Sequence, residues 1–178
     1  MHRNALRKML ENYSSTVEEE SAYKSQLKFL EEHEDCFERS CEVGHFTGSC
    51  WVENPDGTKF LLTLHKKIGL WLQLGGHADG NCDLAQVALK EAYEESGLNH
   101  IELVSKDIFD VDVHLIAEHK GIPAHYHYDV RFLLRATDEN IKISDESSDL
   151  RWFSELPSDN LGASVVHMYE KWKKLHQI

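Results

Sequence analysis

The chain has no apolar run long enough to cross a membrane and no signal-peptide pattern, since residues 1–20 are polar and mixed in charge. A cytoplasmic protein without a leader or membrane anchor is therefore expected. Its four cysteines, Cys36, Cys41, Cys50 and Cys82, form no CxxC pair and show no metal-ligand spacing. They read as reduced thiols of a cytosolic protein rather than as a disulfide framework. Basic residues are few, 19 Lys and Arg against 31 Asp and Glu, for a net charge of −12. They are not clustered either, so a long nucleic acid is excluded as partner, while a free nucleotide or a short capped end stays open. There is no internal repeat and no low-complexity tract. What remains is 178 residues with 41% hydrophobic and 28% charged content, enough for one ordinary domain with a sizeable core and an extension.

What is present concentrates in residues 75–98, GGHADGNCDLAQVALKEAYEESGL. Asp83 is placed to cap a helix starting at Leu84, with Gln86 completing a capping box. Ala85, Ala88, Leu89 and Ala92 supply a small-residue face for close packing on a sheet. Gly97 suits the left-handed position that ends a helix, and Leu98 can fold back over it. On that helix Glu91 meets Glu94 at i,i+3 and Glu95 at i,i+4, so all three carboxylates share one edge. Carboxylates that close repel unless a cation lies between them. Clustered oxygen ligands suit a hard ion, Mg²⁺ or Mn²⁺, which keeps waters and shares substrate phosphates. The chemistry indicated is metal-assisted hydrolysis of a phosphate anhydride; the bland alternative is a solvated acidic helix face.

This segment resembles the Nudix box, G-x5-E-x7-R-E-U-x-E-E-x-G-U with U aliphatic. Gly76, Glu91, Glu94, Glu95, Gly97 and Leu98 match in place, and Ala92 stands at the first U. Two positions depart: Cys82 replaces the first glutamate, with Asp79 and Asp83 nearby, and Lys90 replaces the arginine, keeping its charge without its fork. The wording GGHAD among many histidines also resembles a bacterial subgroup of the family. The resemblance implies a Mg²⁺-dependent pyrophosphohydrolase, with Mn²⁺ as a substitute ion, cleaving a nucleoside diphosphate linked to another moiety. It implies metal ligation by Glu91, Glu94 and Glu95 with a glycine-pair carbonyl such as that of Gly76, and Lys90 steadying Glu91. A glutamate six residues before a tryptophan often supplies another ligand or the base in this family. Here that residue is Glu146, before Trp152; otherwise it belongs to an acidic surface loop. Two further readings stay open: a degenerate module that binds a nucleotide without cleaving it, and a prenyl diphosphate isomerase, which would need a cysteine in the pocket.

Along the chain, residues 4–34 read as helical, with apolar stripes Leu6, Leu10, Tyr13 and Tyr23, Leu27, Leu30. Ser14-Ser15-Thr16 breaks them, with Ser15 or Thr16 as a cap. These helices either cover the sheet, the favoured reading, or make a homodimer contact. Strands are expected over 45–53 and 60–65, joined by the turn Asn54-Pro55-Asp56-Gly57. A short segment over 71–74 leads to the glycine pair. Further strands are expected over 101–103, 109–116, 125–135 and 150–153, an acidic loop over 137–149, and a closing helix over 165–175. Together they make an α/β/α sandwich with a mixed sheet, divided as a helical extension over 1–43 and a catalytic domain over 44–178, packed as one unit.

The strand over 125–135 alternates most clearly. Tyr126, Tyr128, Val130, Phe132 and Leu134 face one way; His125, His127, Asp129, Arg131 and Arg135 face the other. His125 and His127 with Asp129 describe a transition-metal site, a substrate-facing wall that includes Arg131, or a solvated face. His77 follows the glycine pair and is expected to border the pocket. Phe46, Trp71, Tyr126 and Tyr128 either stack on a base or belong to the core, and Trp152 reads as structural.

Overall fold

The computed structural model describes residues 2–119 and 121–177. Its centre is a parallel pair of strands, β1 (Gly44–Glu53) and β7 (His125–Ala136), in register from Gly44 opposite Tyr126 to Glu53 opposite Arg135. The other pairings between these strands are antiparallel. β2 (Phe60–His65) joins the end of β1, and β4 (Leu74–His77) takes the start of the same β1 edge. β3 (Trp71–Leu72) and β8 (Ser147–Phe153) flank β2. β5 (Ile101–Leu103) and β6 (Asp110–Ile116) share the far edge of β7. The result is one mixed eight-stranded sheet.

Alternation along β1 and β7 decides what covers each face. Phe46, Cys50 and Val52, with Tyr128, Val130, Phe132 and Leu134, join one core beneath α3 (Leu84–Ser96). Leu6 and Leu10 of α1 (His2–Glu11), and Phe29 and Leu30 of α2 (Glu20–Glu32), are buried in that same core. Phe29 stacks on Tyr128 with ring centroids 3.8 Å apart. Gly48 admits α3 against the sheet, because a β-carbon there would lie 2.6 Å from the Leu84 carbonyl oxygen. On the opposite face, Trp51, Phe60 and Leu133 pack beneath Val165, Met168 and Trp172 of α4 (Ala163–His176). This is the expected α/β/α sandwich.

The α4 face is divided. Trp51 and Leu133, near the C-terminal ends of β1 and β7, are covered by the helix. Nearer the N-terminal ends, His45, Thr47 and Ser49 stand beside His127, Asp129 and Arg131, which makes this half of the face polar. Among the described residues no helix is long and apolar enough to cross a membrane.

Several local expectations need correction. β8 begins at Ser147, three residues before the expected start, because Ser147 pairs with His65 after a register shift in β2. Glu146 therefore adjoins a strand end rather than a free loop, and its carbonyl accepts from the Lys66 amide. Neither Ser15 nor Thr16 caps α2. Glu19 does the reverse, its buried carboxylate accepting from the Thr16 amide at 2.7 Å. The capping box of α3 is half formed: Asp83 accepts from the Gln86 amide at 3.2 Å, while the Asp83 amide donates to Asn81 rather than to Gln86. The helix ends on Gly97 at φ 63°, with Leu98 buried.

Candidate active site

α3 lies across the glycine pair of β4, and that crossing builds the site. The Gly75 amide donates to Glu95 Oε1 at 2.9 Å. A β-carbon on Gly76 would fall 2.5 Å from Glu91 Cδ, so only glycine leaves room for the Glu91 carboxylate there. Glu91, Glu95 and Glu146 then line one cavity of about 440 Å³, together with Gly75, Gly76, His77 and His127. Burial pushes Glu95 up from its ordinary 4.5 to about 7. The Gly75 amide opposes that shift, and the charges of Glu91, Glu146 and Glu94 add to it.

Glu94 stands apart from this cavity. It is exposed and accepts from Lys90 Nζ at 2.9 Å, while the same ammonium donates to Glu91 Oε1 at 3.1 Å. Lys90 thus bridges two of the three helix carboxylates by reaching between them as a single point charge. The helix periodicity that put three acids on one edge did not separate the two that turn inward from the one that turns outward.

The histidines also divide. His77 and His127 line the carboxylate cavity and a neighbouring one of about 530 Å³, whereas His125 lines only the neighbour. Arg131 lines neither. It is buried, with Nε on Asp129 at 2.7 Å, Nη1 on Asp110 at 2.6 Å and Nη2 on Asp112 at 2.9 Å. Three carboxylates occupy its fork, so its place in the structure is a brace behind the site rather than the substrate wall. It acts on Asp129, which reaches the cavity and also accepts from Thr47 and Ser49 at 2.7 Å each.

The aromatic platform does not assemble at the carboxylates. Phe46 and Tyr128 belong to one core, Trp71 packs edge-on to Phe153 in the other, and Tyr126 is exposed. Trp152 donates its indole N–H to the Glu139 carbonyl. No cysteine lines the carboxylate cavity among the described residues; Cys82 faces α1 beside Leu6 and Met9. Cys41 lines the neighbouring cavity.

Two cations reach this cavity that the sequence did not single out, Arg39 and Lys67. Arg39 comes from the segment before β1 and holds Asp79 with Nη2 2.7 Å from Oδ2. Lys67 lies in the turn after β2. Both fall outside the box and in stretches without periodicity, so only the folded chain brings them to the glutamates. His114 in this cavity and His45 in the neighbouring one were also missed; their signal was strand alternation, which places them beside His127.

Comparison with known proteins bears on the whole region. The family model described as NUDIX domain matches residues 45–157. No curated protein matches the chain. A solved Nudix-family hydrolase from Clostridium perfringens is 27% identical, with a TM-score of 0.57 over 74% of this chain and 97% of that one. An Ap4A hydrolase from C. elegans is 16% identical, with a TM-score of 0.55 over 74% of this chain and 97% of its own. An ADP-ribose pyrophosphatase from Streptococcus suis is 20% identical, with a TM-score of 0.53 over 75% and 92%.

Proposed function

The chain belongs to the Nudix family and is a hydrolase of phosphorus-containing acid anhydrides; we propose that it is a Mg²⁺-dependent pyrophosphohydrolase cleaving a nucleoside diphosphate linked to another moiety. The observation that carries this reading is the convergence of Glu91, Glu95 and Glu146 on one cavity beside the glycine pair.

The donor set fits a hard divalent ion. Half-buried Glu91 and Glu95 line this cavity with exposed Glu146, and burial together with the charges of its neighbours drives Glu95 toward neutrality; oxygen ligands of this kind suit Mg²⁺ or Mn²⁺. Glu91, Glu95 and the Gly76 carbonyl would hold it, with Glu94 at the solvent edge. When bound, the ion supplies charge neutralisation at the pyrophosphate and lowers the pKa of a water. The remaining work falls to side chains. Glu146 is assigned as general base, taking a proton from the attacking water while the anhydride P–O bond breaks and two phosphate esters leave. Lys90 positions Glu91 without touching substrate. Arg39 and Lys67 hold phosphate oxygens by charge.

The substrate class is supported by the cavity and its cations, and by fold neighbours that carry the names Ap4A hydrolase and ADP-ribose pyrophosphatase. The test is turnover of a panel of nucleoside diphosphate and triphosphate derivatives with Mg²⁺, with Mn²⁺ and with EDTA, coupled to a phosphatase where two esters form. Metal-dependent cleavage of one linked nucleoside diphosphate, lost in Glu95→Gln, is the expected result. Silence across the panel with nucleotide binding retained would replace this reading with a binding module.

A further inference from the structure

The polar half of the sheet carries more imidazole than the carboxylate chemistry uses. Register sets His45 of β1 opposite His127 of β7, and His127 opposite His114 of β6. His77 enters from β4 at the place beside Thr47. One ring nitrogen from each of His45, His77 and His127 lies within 4.8 Å of the other two. Their ring centroids are 4.9–5.1 Å apart. His125 adds a fourth ring 5.0 Å from His45.

These rings are not satisfied by the protein. Both nitrogens of His45 and Nε2 of His127 are buried without a hydrogen-bond partner among the described residues. Buried polar atoms in native proteins are nearly always paired, so unpaired nitrogens converging on one point require an account. Packing alone does not supply one, because an apolar side chain would fill the same space without stranding a donor. A phosphate wall does not supply one either. A phosphate is met by donors on an open cavity wall, whereas His45 is buried, lines only the neighbouring cavity and leaves both nitrogens without a partner. Neutral imidazoles are the form that ligates metal.

Two flanking rings do have partners: His125 Nδ1 donates to the Pro123 carbonyl at 2.8 Å, and His114 Nδ1 lies 2.9 Å from an Asp112 carboxylate oxygen.

We propose that His45, His77 and His127 form a transition-metal site of the zinc class, separate from the carboxylate site, with a coordination position left open on the cavity wall. Three protein ligands leave a fourth position for water or substrate, and imidazole selects such ions over Mg²⁺. Because His77 and His127 border both cavities, an ion there places fixed positive charge where the two meet. It would hold an anionic part of the substrate beyond the scissile anhydride.

The test uses the full chain after EDTA treatment and dialysis, titrated with Co²⁺ and followed by visible absorption. Co²⁺ on imidazoles in a four-coordinate site gives a strong d–d band, whereas oxygen-ligated six-coordinate Co²⁺ gives a weak one. A strong band at one equivalent is expected, displaced by Zn²⁺ and not by excess Mg²⁺. It should persist in the Glu91→Gln/Glu95→Gln protein, which by the reading above has lost Mg²⁺-dependent turnover. His77→Ala and His127→Ala should each weaken Co²⁺ binding by more than the roughly 10–100-fold that loss of an outer-shell partner costs. Circular dichroism checks folding; should His127→Ala fail to fold, half-buried His77 decides the matter alone. No strong band, a band lost with the glutamates, or a band indifferent to His77→Ala overturns the proposal. Each of these leaves the hydrolase reading to its own assay.

Discussion

Glu95 should make the metal-free protein less stable as pH rises, and Glu95→Gln should remove that penalty. Its folded pKa stands near 7 against an ordinary 4.5. Between those values the folded chain binds more protons than the unfolded one, so stability contributed at low pH is lost as pH rises toward 7. At about 1.4 kcal/mol per unit, the effect approaches about 3 kcal/mol by pH 8. For a domain of this size that corresponds to a fall of roughly 6–12 °C in melting temperature. The histidines act with the opposite sign: His45 and His127 lie below their ordinary 6.5, so the fold loses stability as pH falls below that value. The raw curve superposes both trends, and only the difference between wild type and Glu95→Gln isolates the carboxylate. The assay is thermal or urea unfolding in EDTA from pH 5 to pH 8. The variant should gain on wild type across that range and end about 3 kcal/mol ahead, while having no turnover. Parallel curves would refute the reasoning, since they would mean that Glu95 ionises in the fold as freely as in the open chain.

Gly76→Ala should drive the Glu91 carboxylate from its place and cut turnover by about 100-fold, with little change in melting temperature. Full activity would show that the carboxylate finds an equivalent seat. Arg131→Met strands Asp110 and Asp129 without their shared cation and should cost about 3–5 kcal/mol in urea unfolding; a loss below about 1 kcal/mol would mean that water or Lys171 takes over the role. Lys90→Ala removes an exposed bridge, so stability should shift by less than about 1 kcal/mol. Turnover should fall, with Lys90→Arg restoring it, and unchanged turnover would remove Lys90 from the positioning of Glu91.

The sandwich was legible because its determinants are local. Alternation along residues 125–135, the cap at Asp83 and the stop at Gly97 each act within a few residues. The carboxylate helix was legible for the same reason. What could not be read was the inward or outward turn of side chains on one helix edge. Glu91 and Glu95 meet the glycine pair while Glu94 meets Lys90, and that depends on how α3 crosses β4. Arg131 was misleading because alternation gives the face and not the distance along it. It shares a face with His127 but lies behind Asp129, among carboxylates from β6. Arg39 and Lys67 were invisible because the loops that bring them in carry no period.

The parallel pairing of β1 with β7 also has a kinetic side. Thr47 and Asp129, hydrogen-bonded across that pair, are 82 residues apart in the chain, and antiparallel hairpins can form without it. Loop closure over that span must precede any contact that rewards it, which is the slow step in folds rich in distant pairings. During synthesis, β1, β2, β4 and α3 can assemble while the β7 edge of β1 stays unpaired. The bed of the site would then be laid early, and its wall of His127 and Asp129 would arrive only when β7 docks. Chains caught before that moment present a long open strand edge, the part of this molecule most prone to pair with a neighbour.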